Sequence, residues 1–110
     1  MKNKEILSLR IKEKYLLQIA SGEKTIEYRQ ATPYYEQLLV KSLDDEKFCI
    51  FYPFKFIHLY CGNIKGGGKQ LTAEITYIEK YQYINEIPEG FKKGDHSFEI
   101  GIGKIIEKNL

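Results

Sequence analysis

The sequence predicts one α+β domain in which antiparallel strands predominate, and three observations carry that prediction. Apolar and polar residues alternate over Ile6 to Ile11, Gln70 to Tyr81 and Ser97 to Ile106, the period of a strand with one face on a core. Two short stripes at helical spacing fall within the first forty residues. The chain has 110 residues, 43% of them hydrophobic, a size and composition that bury a core without disulfides or metals.

In chain order, Ile6 to Ile11 reads as the first strand, with Leu7, Leu9 and Ile11 on one face. From Lys12 to Ser21, Tyr15, Leu16, Ile19 and Ala20 make one stripe of a short helix, and Gly22 stands where a C′ glycine ends it. Lys24 to Gln30 returns to extended structure. Thr25, Glu27 and Arg29 share one face, while Ile26 and Tyr28 share the other with Lys24 leading in. Thr32 and Pro33 suit the N-cap and N1 positions of a second short helix carrying Tyr34, Tyr35, Leu38 and Leu39.

Asp44 to Lys47 is a polar turn. Pro53 divides the aromatic run Phe48 to Cys61 into two strands, because proline removes a ladder donor. Gly62 to Lys69, with Gly66-Gly67-Gly68 between Lys65 and Lys69, reads as the connection of a hairpin whose second strand is Gln70 to Tyr81. Tyr83 to Asp95 holds Pro88, Gly90 and Gly94 without a period and reads as a loop. Ser97 to Ile106 closes the chain, with Phe98, Ile100 and Ile102 on one face. Closure of these strands into a small barrel would protect the sheet's edges.

Lys and Arg number 17 against 15 Asp and Glu, a net charge of +2, so any nucleic-acid site must be a local patch. Cys49 and Cys61 form neither CxxC nor part of a His-rich cluster, which argues against a disulfide framework or a zinc site and suits a reducing cytoplasm. The segment from Met1 to Lys12 is too short and too charged for a signal peptide or a membrane span. The expectation is a cytoplasmic protein with no metal, no cofactor and no membrane partner.

The densest chemistry lies from Gly22 to Arg29. Same-face neighbours on a strand sit about 7 Å apart, so long side chains there converge. Lys24 after a glycine turn can project into a cleft, where a lysine binds phosphate or, if desolvated, serves as base or nucleophile. Glu27 can carry a proton or accept from an exocyclic amine, and Arg29 can fork onto a phosphate or carbonyl. The plainer alternative makes Glu27 and Arg29 a surface ion pair and Lys24 a solvated turn residue. Tyr28, and Tyr60 from another strand, are candidates to stack a base. His58 and Cys61 point to opposite faces of one strand, so they make no dyad.

Leu7 to Ile11, the short helix and Gly22-Glu23-Lys24-Thr25-Ile26-Glu27-Tyr28-Arg29 together resemble the N-terminal signature of ASCH domains, a group of PUA-like folds. Gly22, Lys24, Glu27 and Arg29 match its glycine, lysine, acidic and arginine positions. The resemblance covers roughly the first thirty residues and is looser beyond. It implies a PUA-like pseudo-barrel with a cleft for RNA or a modified nucleoside or nucleotide.

Some small bacterial members of that family are amidohydrolases of N4-acetylcytidine, with a site that resembles a lysine in this turn, a threonine three residues later and a distal glutamate. Lys24 matches the lysine, Glu27 occupies the threonine position, and the nearest hydroxyl is Thr25. Glu86 and Glu89 lie in the segment that would supply the glutamate. The resemblance therefore implies a binding module first. Amide hydrolysis of N4-acetylcytidine, or a related RNA-processing hydrolase such as the ribonucleases among family members, is the alternative, with Lys24, Glu27 and Thr25 as catalytic residues and Arg29, Tyr28, Gly22 and Tyr60 holding substrate. A protein-interaction surface of Phe54, Phe56 and Tyr60 is a third possibility.

Overall fold

A computed structural model describes residues 5–62 and 68–110. The elements run β1 (Ile6–Arg10), α1 (Glu13–Ala20), β2 (Ile26–Gln30), α2 (Pro33–Leu39), β3 (Val40–Leu43), β4 (Cys49–Phe51), β5 (Phe56–Tyr60), β6 (Gln70–Gln82) and β7 (His96–Asn109). Five strands form one sheet in the order β1-β5-β6-β7-β2, and β3 and β4 pair separately. Every pairing is antiparallel except β1 with β5. This is a small sheet-dominated domain with two helices and a sheet curled into a half-barrel.

The strand alternation read from the sequence fixes which side faces inward. Leu7 and Leu9 of β1, Ile57 and Leu59 of β5, Leu71 and Ala73 of β6, and Phe98 and Ile100 of β7 are buried together. α1 closes one side through Leu16 and Ile19, and α2 adds Leu39. Burial of apolar surface at about 25 cal/mol per Å² is the main favourable contribution to folding.

The helix ends follow local chemistry. The Thr32 hydroxyl accepts from the Tyr35 amide, and Pro33 occupies the first turn of α2, where its missing N–H costs nothing. Ser21 caps the C-terminus of α1, after which Gly22 takes φ +84°, a left-handed conformation open to glycine. The Lys24 amide then donates to the Gln18 carbonyl, folding the chain back toward β2.

The structure adds one strand that the sequence pattern does not announce. β3 follows α2 without a break and makes a hairpin with β4 around Asp44 to Lys47. There the Asp44 carboxylate accepts from the amides of Glu46 and Phe48, and Lys47 takes φ +68°. The glycine triplet and Lys65 fall largely in residues 63–67, outside the described residues. Tyr83 to Asp95 is a loop, as its composition predicts.

Gly101 sits where β7 passes a bulged stretch of β6. A Cβ placed there would lie 2.3 Å from Thr76 Oγ1 and 2.3 Å from the Tyr77 ring, so glycine leaves the room that these two side chains occupy over β7.

The two sheet edges, β1 and β2, form no ladder with one another. The Ile11 amide bonds the Tyr60 carbonyl, and backbone groups alternate in direction along a strand, so the Arg10 carbonyl faces away from β5. The Ile102 amide bonds the Thr25 carbonyl, so by the same alternation the Ile26 carbonyl faces away from β7. Both unpaired carbonyls find side-chain donors, and the site is built around them.

Candidate functional site

Glu27 is the buried carboxylate among the described residues, 5% exposed. Removing a lone carboxylate from water costs several kcal/mol, on the order of the whole stability of a small domain, unless cations and hydrogen bonds compensate. Two cations bracket it. Arg29 Nε and Nη2 donate to Glu27 Oε2 at 2.9 and 2.6 Å. Lys24 Nζ lies 3.3 Å from Oε1 on the other side.

Arg29 has no free nitrogen. Nη1 donates to the Tyr35 hydroxyl at 2.8 Å and Nη2 also donates to the Arg10 carbonyl at 2.8 Å. Burial works against the charged guanidinium, but Glu27 and the Tyr35 hydroxyl outweigh it and hold Arg29 above its ordinary range. Lys24 donates to the Ile26 carbonyl, and Nζ sits 4.7 Å from the centre of the Tyr28 ring and 5.7 Å from that of Tyr15.

A cleft of about 540 Å³ opens beside this trio, within the range that takes a small organic ligand. α1 contributes Tyr15 and Gln18. The end of β1 contributes Arg10, with Ile11 and Lys12 just beyond. The 83–95 loop reaches in with Pro88, Glu89 and Phe91. Phe91 is held edge-on by Tyr28 at 6.3 Å and by Tyr83 at 5.3 Å between ring centres. The buried Tyr83 hydroxyl donates to Glu99 at 2.8 Å. Burial and Glu99 push its pKa up to about 12, with Ser97 pulling the other way.

Lys24, Glu27, Tyr28 and Arg29 thus meet in one place. The alternation of β2 separates Lys24 and Tyr28 from Glu27 and Arg29, yet both sets line the cleft. Lys24 precedes the strand, and β2 is an edge whose side chains reach around its open side. Gly22 shapes the turn and does not line the cleft. Thr25 is exposed outside the lining, with its carbonyl bonded to Ile102. Tyr60 lies elsewhere, stacked on His58 at 5.7 Å between ring centres.

Sequence reasoning missed Arg10, Lys12, Gln18 and Phe91 as cleft residues, and assigned Tyr15 to the helix core stripe. Only Arg10 and Lys12 left a signal, as charged positions flanking buried Ile11. Elsewhere, His58 contacts Gln70 at 2.8 Å and Ser8 at 3.5 Å rather than Cys61. The Cys61 thiol is held above its usual range by burial and Glu13, against Lys69, which leaves it a weak nucleophile. Phe54, Phe56 and Tyr60 are half-buried. Among the described residues there is no cluster of metal ligands and no helix long and apolar enough to cross a membrane.

The fold and the site together define a class: a sheet-dominated α+β domain whose open seam holds a charged, aromatic-walled cleft. Comparison with protein-family models, curated proteins and solved structures found no match to this chain.

Proposed function

We propose that this domain binds a nucleoside-sized ligand, a modified nucleoside, a nucleotide or an unstacked residue of RNA, with the base in the cleft beside Lys24 and Glu27. The observation that carries this reading is the meeting of the Lys24, Glu27 and Arg29 charges with the rings of Tyr15, Tyr28 and Phe91 in one cleft of about 540 Å³. A base offers flat faces to aromatic rings, and its edge offers donors to a carboxylate and acceptors to an ammonium. The resemblance of Leu7 to Arg29 to ASCH domains supports the same reading. So does a half-barrel seam that a PUA-like fold would account for.

Arg29, each of whose nitrogens already donates to a protein acceptor, holds Glu27 in place. Lys24 and Glu27 face the ligand. Affinity for modified nucleosides and short RNAs, followed by isothermal titration, is expected to fall about tenfold or more in Lys24→Ala, the worth of one or two charge-assisted contacts. Unchanged affinity in that variant would contradict the reading.

The contact between Lys24 and Glu27 also favours a hydrolytic reading, because a carboxylate beside an ammonium can carry a proton to an amide leaving group. Thr25 is poorly placed as its nucleophile. Cytidine released from N4-acetylcytidine by the wild type and not by Lys24→Ala would turn the binding module into an amidohydrolase.

A further inference from the structure

We infer that Arg10 and Lys12 form a phosphate subsite at the rim of the cleft, so that its ligand is a nucleotide or a residue of RNA rather than a free nucleoside. The inference rests on the nucleoside-binding reading above.

Four cations line the cleft, Arg10, Lys12, Lys24 and Arg29, against two carboxylates, Glu27 and Glu89. Lys24 and Arg29 are both committed to Glu27, and every nitrogen of Arg29 already donates to a protein acceptor. Neither can fork onto a phosphate without abandoning a buried carboxylate. Glu89 faces Lys14 at 3.9 Å. Of the four cations that line the cleft, Arg10 and Lys12 therefore remain without an acidic partner among the ion pairs of the described residues.

Their placement suits one anion. Arg10 ends β1, Lys12 follows in extended backbone at φ −72° and ψ 143°, and Ile11 between them is buried. Residues two apart in extended chain project to the same side about 7 Å apart, a span that two long cationic side chains close around a phosphate. The Arg10 main chain is anchored by Arg29, which steadies that end of the subsite. Both side chains belong to exposed residues, so the interaction is screened by salt.

The test compares the common ribonucleosides and N4-acetylcytidine with their 5′-monophosphates and with short oligoribonucleotides, by titration at low and high salt. The phosphorylated ligands are expected to bind about tenfold tighter at low salt, the worth of about 1.4 kcal/mol. That advantage should shrink at high salt and disappear in an Arg10→Gln, Lys12→Gln double variant, read as the ratio of phosphorylated to unphosphorylated affinity within that same variant. An advantage for monophosphates marks a free nucleotide as the ligand, and one confined to oligonucleotides marks the RNA phosphodiester. Equal affinity for nucleosides and phosphorylated forms, or an advantage that survives in the double variant, overturns the subsite and leaves the parent reading standing. Binding of none of these ligands by the wild type contradicts the parent reading and the subsite with it.

Discussion

The Arg29 guanidinium crosses the open seam between the two sheet edges and donates to the main-chain carbonyl of Arg10 at 2.8 Å. The same group donates to Glu27 and to the Tyr35 hydroxyl, so one side chain joins β1, β2 and α2 where the backbone ladder stops. Removing Arg29 leaves a buried carboxylate with one cation and an edge carbonyl without its donor. Arg29→Ala is expected to cost about 3 kcal/mol in urea unfolding. Arg29→Lys should recover little of it, since an ammonium cannot reproduce the planar fork.

Glu27 is the reciprocal case. Glu27→Gln keeps the shape but leaves the cations at positions 24 and 29, both mostly buried, without their shared counter-charge. It is expected to destabilise the fold by about 2–4 kcal/mol. A paired Glu27→Gln, Arg29→Met variant should lose less than the sum of the single changes, because the uncompensated charge on that side is gone. A thermodynamic cycle from chemical denaturation measures this.

Tyr83 makes stability depend on alkaline pH. An unfolded tyrosine releases its proton near 10 and folded Tyr83 near 12, so the folded state holds the proton more tightly. Its contribution is complete below pH 10 and is lost as pH rises toward 12. Tyr83→Phe should flatten part of that decline in unfolding experiments across the interval. Part will remain, because Tyr81, bonded to Glu79, is also pushed up to about 12.

Gly101→Ala is expected to cost about 1–3 kcal/mol, since the new methyl meets Thr76 and the Tyr77 ring at 2.3 Å inside a paired stretch of β6 and β7. Gly103→Ala should cost less, its nearest neighbour being the Thr76 methyl at 3.0 Å. Thermal melts of the two variants compare them directly.

Much of this architecture is legible in the chain because it is set by local patterns. The alternations over Ile6 to Ile11 and Ser97 to Ile106 place Leu7, Leu9, Phe98 and Ile100 in the core, and Gly22 ends α1 in the left-handed conformation its position predicts. β3 was not legible, because Val40 to Leu43 follows α2 with no break and carries no clear alternation. The site was half legible. Lys24, Glu27 and Arg29 are close in sequence, so spacing brings them together. Tyr35, Arg10 and Phe91 join them only through tertiary packing that no local period encodes. The fork of Arg29 onto a ligand, plausible from residue type alone, is displaced by internal bonds that only the curled sheet creates.

The most direct test of the central proposal is a two-dimensional NMR titration of the labelled protein with modified nucleosides, nucleotides and short RNAs. The account predicts saturable shifts centred on Lys24, Glu27, Tyr28 and Phe91, weakened in Lys24→Ala. Shifts confined to other surfaces, such as the His58 and Tyr60 face, or no shifts with any of these ligands, would contradict it.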